Sequence, residues 1–167
     1  MSRVTILLAE DETPKQKHIE KFVKSYNPNF NIIITRSVNS TLDAIEDNNI
    51  DLLLLDMSLP TYEIGDRENG GRPQAFGGIN ILRSIKLEDI IIPTIVITGY
   101  EGFKRNENDI EKCVHVDLTQ LRDELNNDFP ETFLELLHFS SLDKKWELGL
   151  LNILDSEFSN KNENSNR

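Results

Sequence analysis

Four consecutive leucines lie between two aspartates in the segment Asp51-Leu52-Leu53-Leu54-Leu55-Asp56-Met57-Ser58-Leu59-Pro60. A short, continuous apolar run of this kind predicts a β-strand that is covered on both faces, as the strands of parallel sheets are. The run stops at Asp56, so an acidic side chain follows the strand directly. The segment therefore predicts a buried central strand that presents a carboxylate at its C-terminal end.

Strands and helices are predicted to alternate on both sides of this segment. Further apolar runs, each a candidate strand, lie at residues 4–9, 30–34, 90–97 and 133–139. Between the first two runs, Ile19 and Val23 share one helical face, after a helix start with Thr13 as the N-cap and Pro14 in the first turn. Because strands that alternate with helices pair in parallel through right-handed crossovers, the sequence predicts a doubly wound α/β domain with helices on both faces of its sheet.

The fifth strand has two candidate positions. One is the short apolar stretch at residues 113–116. Leucines that recur at helical spacing from Leu118 onward favour a helix at about residues 117–127, which moves the fifth strand to residues 133–139. The second position is the one that we expect.

The chain is predicted to end in one more helix and a polar tail. Residues 140–143 resemble a helix cap, and they precede apolar side chains at steps of four: Trp146, Leu150, Leu154 and Phe158. Residues 159–167 contain nothing apolar to bury, so we expect them to be disordered. Residues 1–158 are then a single domain.

Composition excludes several classes of protein. The chain has 167 residues, a net charge of −11, 38% hydrophobic residues and one cysteine. No apolar run approaches the ~20 residues that span a bilayer, and the N-terminus lacks the features of a secretory signal, so we expect a cytoplasmic protein without membrane contacts. The acidic charge disfavours direct binding to nucleic acid. A single cysteine excludes a zinc site that is built on paired cysteines.

Polar side chains follow three of the predicted strands. Glu10 and Asp11 follow the first strand, Asp56 the third and Thr98 the fourth. Because the carboxyl ends of parallel strands meet at one edge of a sheet, these side chains are expected to converge. Converging carboxylates repel one another unless a cation offsets their charge. Mg²⁺ is the natural candidate, since it prefers oxygen ligands, and Asp11, Asp56 and the backbone carbonyl of Ser58 could supply them.

A carboxylate beside Mg²⁺ can also act as a nucleophile towards phosphorus. In that chemistry the carboxylate forms an acyl phosphate while the metal offsets the charge of the transferred group. Asp56 would carry the phosphoryl group, and the hydroxyl of Thr98 could donate a hydrogen bond to a phosphoryl oxygen.

Three segments together resemble the receiver domains of two-component response regulators: Ile6–Asp11, Leu53–Pro60 and Val96–Gly99. The resemblance covers residues 1–100, and the combination of the strand-aspartate-leucine-proline segment with the upstream acidic pair is fairly specific. It implies a flavodoxin-like (CheY-like) sheet of five parallel strands in the order 2-1-3-4-5.

The resemblance also implies roles for individual residues. Asp11 would bind Mg²⁺ directly, and Glu10 would assist through a water molecule. Asp56 would be the phosphoacceptor, with a histidine kinase or a phosphotransfer protein as the donor. Thr98 would couple phosphorylation to movement of the nearby loop and helix.

Two features depart from the receiver pattern. Receivers place a lysine followed by a proline at the end of the fifth strand, whereas this chain has His138-Phe139-Ser140-Ser141 there. Lys104, Arg67 and Arg72 are candidate replacements for that lysine, and a switch without any replacement stays open. The second departure is the segment Thr61–Phe76, which contains both arginines and exceeds the usual length of a connection between packed elements.

These observations leave three functional hypotheses. The leading one is a stand-alone, non-enzymatic receiver that signals through a changed interface to an unknown downstream protein or to a second copy of itself. The second is a degenerate receiver that binds partners without phosphorylation. The third, a Mg²⁺-dependent phosphohydrolase, needs a second aspartate two residues after its nucleophile, where this chain has Ser58.

Overall fold

The computed structural model describes residues 3–62, 77–99, 102–104 and 115–159 of the protein. Within these residues the strands are Thr5–Ala9 (β1), Asn31–Thr35 (β2), Leu52–Leu55 (β3), Thr94–Thr98 (β4), Gly102–Lys104 (β5), His115–Asp117 (β6) and Phe133–His138 (β7). The helices are Thr13–Tyr26 (α1), Val38–Asp47 (α2), Gly77–Leu87 (α3), Leu118–Asp128 (α4) and Lys145–Leu154 (α5), and α5 continues into a π-helical turn at Asp155–Ser159. The prediction that Ser159 belongs to a disordered tail was wrong, because Ser159 is the last residue of this turn and its hydroxyl donates to the carbonyl of Asp155. The rest of that tail, residues 160–167, lies outside the described residues.

A five-stranded parallel sheet forms the centre of the fold, with the strands in the order β2-β1-β3-β4-β7. Because β7 is the fifth strand of this sheet, the order is the predicted 2-1-3-4-5, and the flavodoxin-like architecture is confirmed. The leucine run at residues 52–55 forms β3, which pairs with β1 on one side and β4 on the other. All four leucines are buried, as expected for a strand with neighbours on both edges and helices on both faces.

The question of the fifth strand is decided in favour of the later segment. β7 pairs in parallel with β4, so that His138 lies opposite Thr98. The earlier candidate overlaps β6, which pairs antiparallel with β5 in a separate two-stranded ribbon. Helix α4 lies between β6 and β7 with bounds one residue later than those predicted.

Helix α1 begins one residue earlier than predicted. Glu12 is its N-cap, and the first backbone bond of the helix runs from the Gln16 amide to the Glu12 carbonyl at 2.9 Å. The prediction that Thr13 caps the helix was wrong. Thr13 lies inside the first turn with Pro14, and its hydroxyl accepts a hydrogen bond from Arg36 instead.

Two other element boundaries also move. β4 begins at Thr94 rather than at residue 90, directly after Pro93, which has no N–H to donate to a ladder. Helix α5 begins at Lys145, where no side-chain cap forms at its N-cap residue. Ser140 instead closes a small turn, accepting hydrogen bonds from the amides of the second and third residues after it.

Two apolar layers, one on each face of the sheet, hold the helices in place. Successive strand residues point to opposite faces. Leu7 therefore packs in the layer that includes α2, α3 and α4, whereas Ile6 and Leu8 pack in the layer that includes α1 and α5. In the part of the chain that the structure describes, every helix falls short of the length and apolar character that a bilayer crossing requires.

Candidate functional site

The C-terminal ends of β1 and β3 lie side by side and carry the predicted acidic residues. The amide of Asp56 donates a hydrogen bond to the carbonyl of Ala9 at 3.0 Å, and the amide of Glu10 donates to the carbonyl of Thr35 at 3.0 Å. These ladder bonds continue past the last residues of the strands. They fix the backbone positions of Glu10 and Asp56, from which the two carboxylate side chains extend.

Three carboxyl groups converge at this edge of the sheet, as predicted. One oxygen from each of Glu10, Asp11 and Asp56 lies within 4.8 Å of the others. Glu10 and Asp56 are buried, and Asp11 is partly buried. Oxygen-only ligands at this spacing fit a hard divalent cation such as Mg²⁺, which commonly binds one or two carboxylates and retains several waters.

A buried lysine from α1 reaches into the same cluster. The Nζ atom of Lys15 lies 3.1 Å from Oδ1 of Asp56 and 2.5 Å from Oε2 of Glu10, and it donates a hydrogen bond to the carbonyl of Ile97 at 2.8 Å. Only 3% of the lysine is exposed. Loss of one partner from a buried ion pair typically costs ~3–5 kcal/mol, because an uncompensated charge stays in the interior. Lys15 is therefore part of the site and not a surface lysine.

Burial and mutual repulsion shift the protonation of the cluster. Burial and the Asp56 carboxylate raise the pKa of Glu10 from 4.5 to about 7, against the opposing effects of Lys15 and the Glu12 amide. Burial and Asp56 also raise the pKa of Asp11 above its usual 3.8. Burial by itself lowers the pKa of Lys15, but the carboxylates of Asp56 and Glu10 outweigh it and raise that pKa above 10.5. One ammonium ion thus faces three carboxyl groups, and the remaining negative charge favours a further cation.

An open cavity of about 460 Å³ gives ligands access to the cluster. Its lining residues are Glu10, Asp11, Glu12, Lys15, Asp56, Ser58 and Gly99. Ser58 thus lines the same cavity as the three carboxyl groups. Thr98 is fully buried at the end of β4, directly before Gly99, and its carbonyl accepts a hydrogen bond from the Phe139 amide at 2.8 Å.

An arginine directly after β2 binds the segment Glu10–Thr13, which connects β1 to α1. The guanidinium of Arg36 donates to the backbone carbonyl of Asp11 at 2.9 Å and to the hydroxyl of Thr13 at 2.7 Å. In addition, Oε1 of Glu10 accepts a bond from the Glu12 amide at 2.9 Å. These contacts join β1, β2 and the start of α1 where the acidic residues lie.

The structure brings together the predicted residues Glu10, Asp11, Asp56 and Ser58. The predicted lysine replacements are not tested in the same way, because Arg67 and Arg72 lie outside the described residues, as does the side chain of Lys104.

Lys15 was not predicted as a site residue, since the sequence indicated only that it belongs to the start of a helix. A signal was present, since Lys15 lies four residues before Ile19 and eight before Val23, on the apolar face of α1. A lysine on a face that packs against a sheet needs a buried partner, and the strand ends supply carboxylates.

No protein-family model matches the chain. A response regulatory protein of the Detocs system, DtcB from Enterobacter cloacae, is 28% identical over 105 residues, which are 62% of this chain and 70% of the relative. An uncharacterized protein of Sinorhizobium fredii, y4jR, is 25% identical over 148 residues, which cover 87% of this chain and 93% of the relative.

Solved structures of similar fold are receiver domains. A CheY-like receiver domain from Methanospirillum hungatei covers 98% of this chain and 99% of its own, with a TM-score of 0.59 and 18% identity. The phosphorylated cyanobacterial phytochrome response regulator RcpA covers 95% and 96%, with a TM-score of 0.61 and 16% identity. The Mn²⁺-bound response regulator Rcp1 covers 91% and 92%, with a TM-score of 0.57 and 19% identity. The chain therefore has the CheY-like fold of response regulator receiver domains.

Proposed function

We propose that the chain acts as a receiver domain of a two-component or phosphorelay system, with Asp56 as the phosphoacceptor. The observation that carries this proposal is the position of Asp56, which follows the central strand and lines an open cavity together with Glu10 and Asp11. The receiver fold and the response regulatory relative support it.

Mg²⁺ is the proposed cofactor, and the donor set is suited to it. Asp11 and Asp56 would bind it directly, the backbone carbonyl of Ser58 would add a third ligand, and Glu10 would assist through water. When bound, the ion would offset negative charge on the transferred group. Two of the structural neighbours were solved in the Mn²⁺-bound and phosphorylated forms, which agrees with this assignment.

The proposed reaction is transfer of a phosphoryl group from a phosphohistidine to Asp56. A carboxylate oxygen of Asp56 forms a bond to phosphorus while the phosphorus–nitrogen bond of the donor breaks. The electron pair of that bond stays on the imidazole nitrogen, which takes up a proton. A histidine kinase or a phosphotransfer protein is the donor class, and the chain is an acceptor rather than an enzyme with its own substrate.

Signalling would follow from the added charge on Asp56. Thr98 lies at the end of the adjacent strand, where its hydroxyl would bind a phosphoryl oxygen and displace the neighbouring loop. The output would be a changed surface for another protein or for a second copy of this chain. We place this function in the cytoplasm, in residues 1–158 as a single domain, without direct contact to nucleic acid or membrane.

The test is the intact mass of the protein after incubation with acetyl phosphate and Mg²⁺. We expect the wild type to gain one phosphoryl group, and we expect no gain for Asp56→Asn or for wild type treated with EDTA. Asp11→Asn should need a higher Mg²⁺ concentration for the same gain. A wild type that gains no phosphoryl group while it binds Mg²⁺ would contradict the proposal.

A degenerate receiver is the second candidate, because β7 ends without the lysine that receivers carry. In that case the domain would bind its partner equally well with Asp56 or Asn at position 56. The same mass measurement separates the two candidates. A Mg²⁺-dependent phosphohydrolase would instead release inorganic phosphate from an alkyl phosphate monoester such as glycerol phosphate. Such an ester does not phosphorylate a receiver aspartate, because its alkoxide is a poor leaving group.

A further inference from the structure

Lys15 is a buried, charged side chain to which the proposed function assigns no role. It lies in α1, it lines the cavity that contains Asp56, and its ammonium group contacts a carboxylate oxygen of Asp56 at 3.1 Å. If Asp56 stayed a carboxylate, the ammonium group would only form a structural ion pair with it. If Asp56 is phosphorylated, the same ammonium group lies next to a larger negative charge.

The effect of phosphorylation on this cavity is electrostatic. Phosphorylation of a side chain introduces about −1.5 to −2 charges at pH 7. Here the charge would enter a cavity that already contains the carboxyl groups of Glu10 and Asp11. A fixed cation that is in place before the reaction stabilises such charge most effectively, because it needs no reorganisation.

The end of β7 has a different role in this chain. Phe139 lies there with its ring centroid 5.2 Å from that of Trp146 and 5.9 Å from that of His18. These rings pack between β7, α5 and α1. The strand end thus contributes to an aromatic cluster, and the buried cation that contacts Asp56 comes from another element.

We propose that Lys15 binds the phosphoryl group on Asp56 and replaces the lysine that is missing from the end of β7. The inference rests on the proposed phosphorylation of Asp56. The bond from Lys15 to the Ile97 carbonyl, at 2.8 Å, holds the ammonium group between β3 and β4 while its contact passes from a carboxylate oxygen to a phosphoryl oxygen. No proton leaves the lysine in this step.

The test compares phosphorylation rates of Lys15→Gln, Lys15→Arg and Lys17→Gln. Lys17 lies on the exposed side of the same helix, so its variant makes the same charge change away from the site. Each protein is mixed with acetyl phosphate and Mg²⁺. Asp56 forms a bond to phosphorus, the phosphorus–oxygen bond to the acetyl group breaks, and acetate leaves with the electron pair.

We expect Lys15→Gln to be phosphorylated about 10²-fold more slowly than wild type, the usual effect of removing one preorganised group that stabilises charge. Lys15→Arg should recover part of the rate, because it restores the positive charge. Lys17→Gln should react at the wild-type rate.

Measuring Mg²⁺ binding by Lys15→Gln distinguishes a direct role of Lys15 in phosphorylation from a loss of structure at the site. Lys15→Gln removes a positive charge beside the acidic cluster, so the folded variant should bind Mg²⁺ no more weakly than wild type in isothermal titration. If Lys15→Gln does not fold, the double variant with Glu10→Gln takes its place, compared with Glu10→Gln alone. That pair removes the ammonium group together with one of its two carboxylate partners.

A second readout observes the ammonium group itself. The ¹⁵Nζ resonance of Lys15, assigned by its absence from Lys15→Arg, should shift when wild type is phosphorylated and should stay unchanged in Asp56→Asn under the same conditions. A wild type that accepts no phosphoryl group would overturn the proposed function. A phosphorylated wild type whose folded Lys15→Gln variant reacts as fast or faster would overturn the role of Lys15 alone.

Discussion

At the residue scale, the absence of a side chain at Gly78 determines how closely α3 approaches the backbone of Asp56. A Cβ atom at this position would lie 2.6 Å from the backbone oxygen of Asp56 and 2.5 Å from Cε of Met57. The Gly78 amide also donates to the Met57 carbonyl at 3.0 Å. We expect Gly78→Ala to lower the free energy of unfolding by about 1–3 kcal/mol, the usual cost of overpacking, as measured by urea denaturation.

Gly99→Ala is the matched control, because a Cβ atom at Gly99 meets nothing within 4 Å. This variant should unfold within about 0.5 kcal/mol of wild type. Equal urea midpoints for Gly78→Ala and Gly99→Ala would contradict the close packing of α3 against the segment after β3.

The acidic residues of the site could be predicted from the sequence, whereas the cation could not. Glu10, Asp11 and Asp56 each follow an apolar run, and the ends of parallel strands meet by geometry alone. The burial of Lys15 depends on the distance between a helix and two strands that are far apart in sequence. Residue spacing within α1 indicates the face on which Lys15 lies, but not the partner that it meets.

At the scale of elements, a hydrogen bond joins the end of α1 to the end of α5. The hydroxyl of Tyr26 donates to Oδ1 of Asp155 at 2.9 Å. Burial, this hydrogen bond and the charge of Asp155 raise the pKa of Tyr26 from 10.0 to about 12. Because the folded-state pKa is the higher one, the bond stabilises the fold below pH 10, and this contribution disappears as the pH rises through 12.

Spectrophotometric titration of the tyrosines tests this link. The wild type should show a phenol that ionises near pH 12 and that is absent from Tyr26→Phe. Asp155→Asn should bring the pKa of Tyr26 back towards 10. An Asp155→Asn protein with an unchanged tyrosine titration would show that the two helix ends are not linked in this way.

Elements with long apolar patterns were predictable, and short ones were not. The strands of the central sheet and the helices between them have enough residues for their spacing to be recognised. The ribbon of β5 and β6 has three residues per strand, too few for any period to be visible. The two strands pair although they are separated in sequence, and the residues of each strand alone do not indicate its partner.

At the scale of the whole molecule, a buried aromatic contact lies near the C-terminal end of the described residues. Phe158 is buried, and its ring packs edge-on against Phe30 with centroids 5.3 Å apart. We expect a chain that ends at residue 159 to unfold at the same urea concentration as the full chain. A chain that ends at residue 157 should lose about 3 kcal/mol or more, as a buried phenylalanine typically does on truncation.

Phe158→Ala in the full-length chain is the control that separates the loss of the Phe158 ring from the loss of the residues after it. It should be destabilised about as much as the chain that ends at residue 157, since both remove the same ring. A shortened chain ending at residue 159 that is clearly less stable than the full chain would contradict the predicted domain boundary at residue 158.

Among the residues that the structure describes, the charged groups that converge on the site belong to the first part of the chain. Glu10, Asp11, Lys15 and Asp56 lie within residues 1–60. The later part contributes the Ile97 carbonyl, which accepts a bond from Lys15, and Gly99, which lines the cavity. None of these four side chains comes from α4, β7 or α5. Over evolutionary time, this division would let descendants of one ancestral chain change the surfaces of their C-terminal halves while inheriting the same cluster of charged groups.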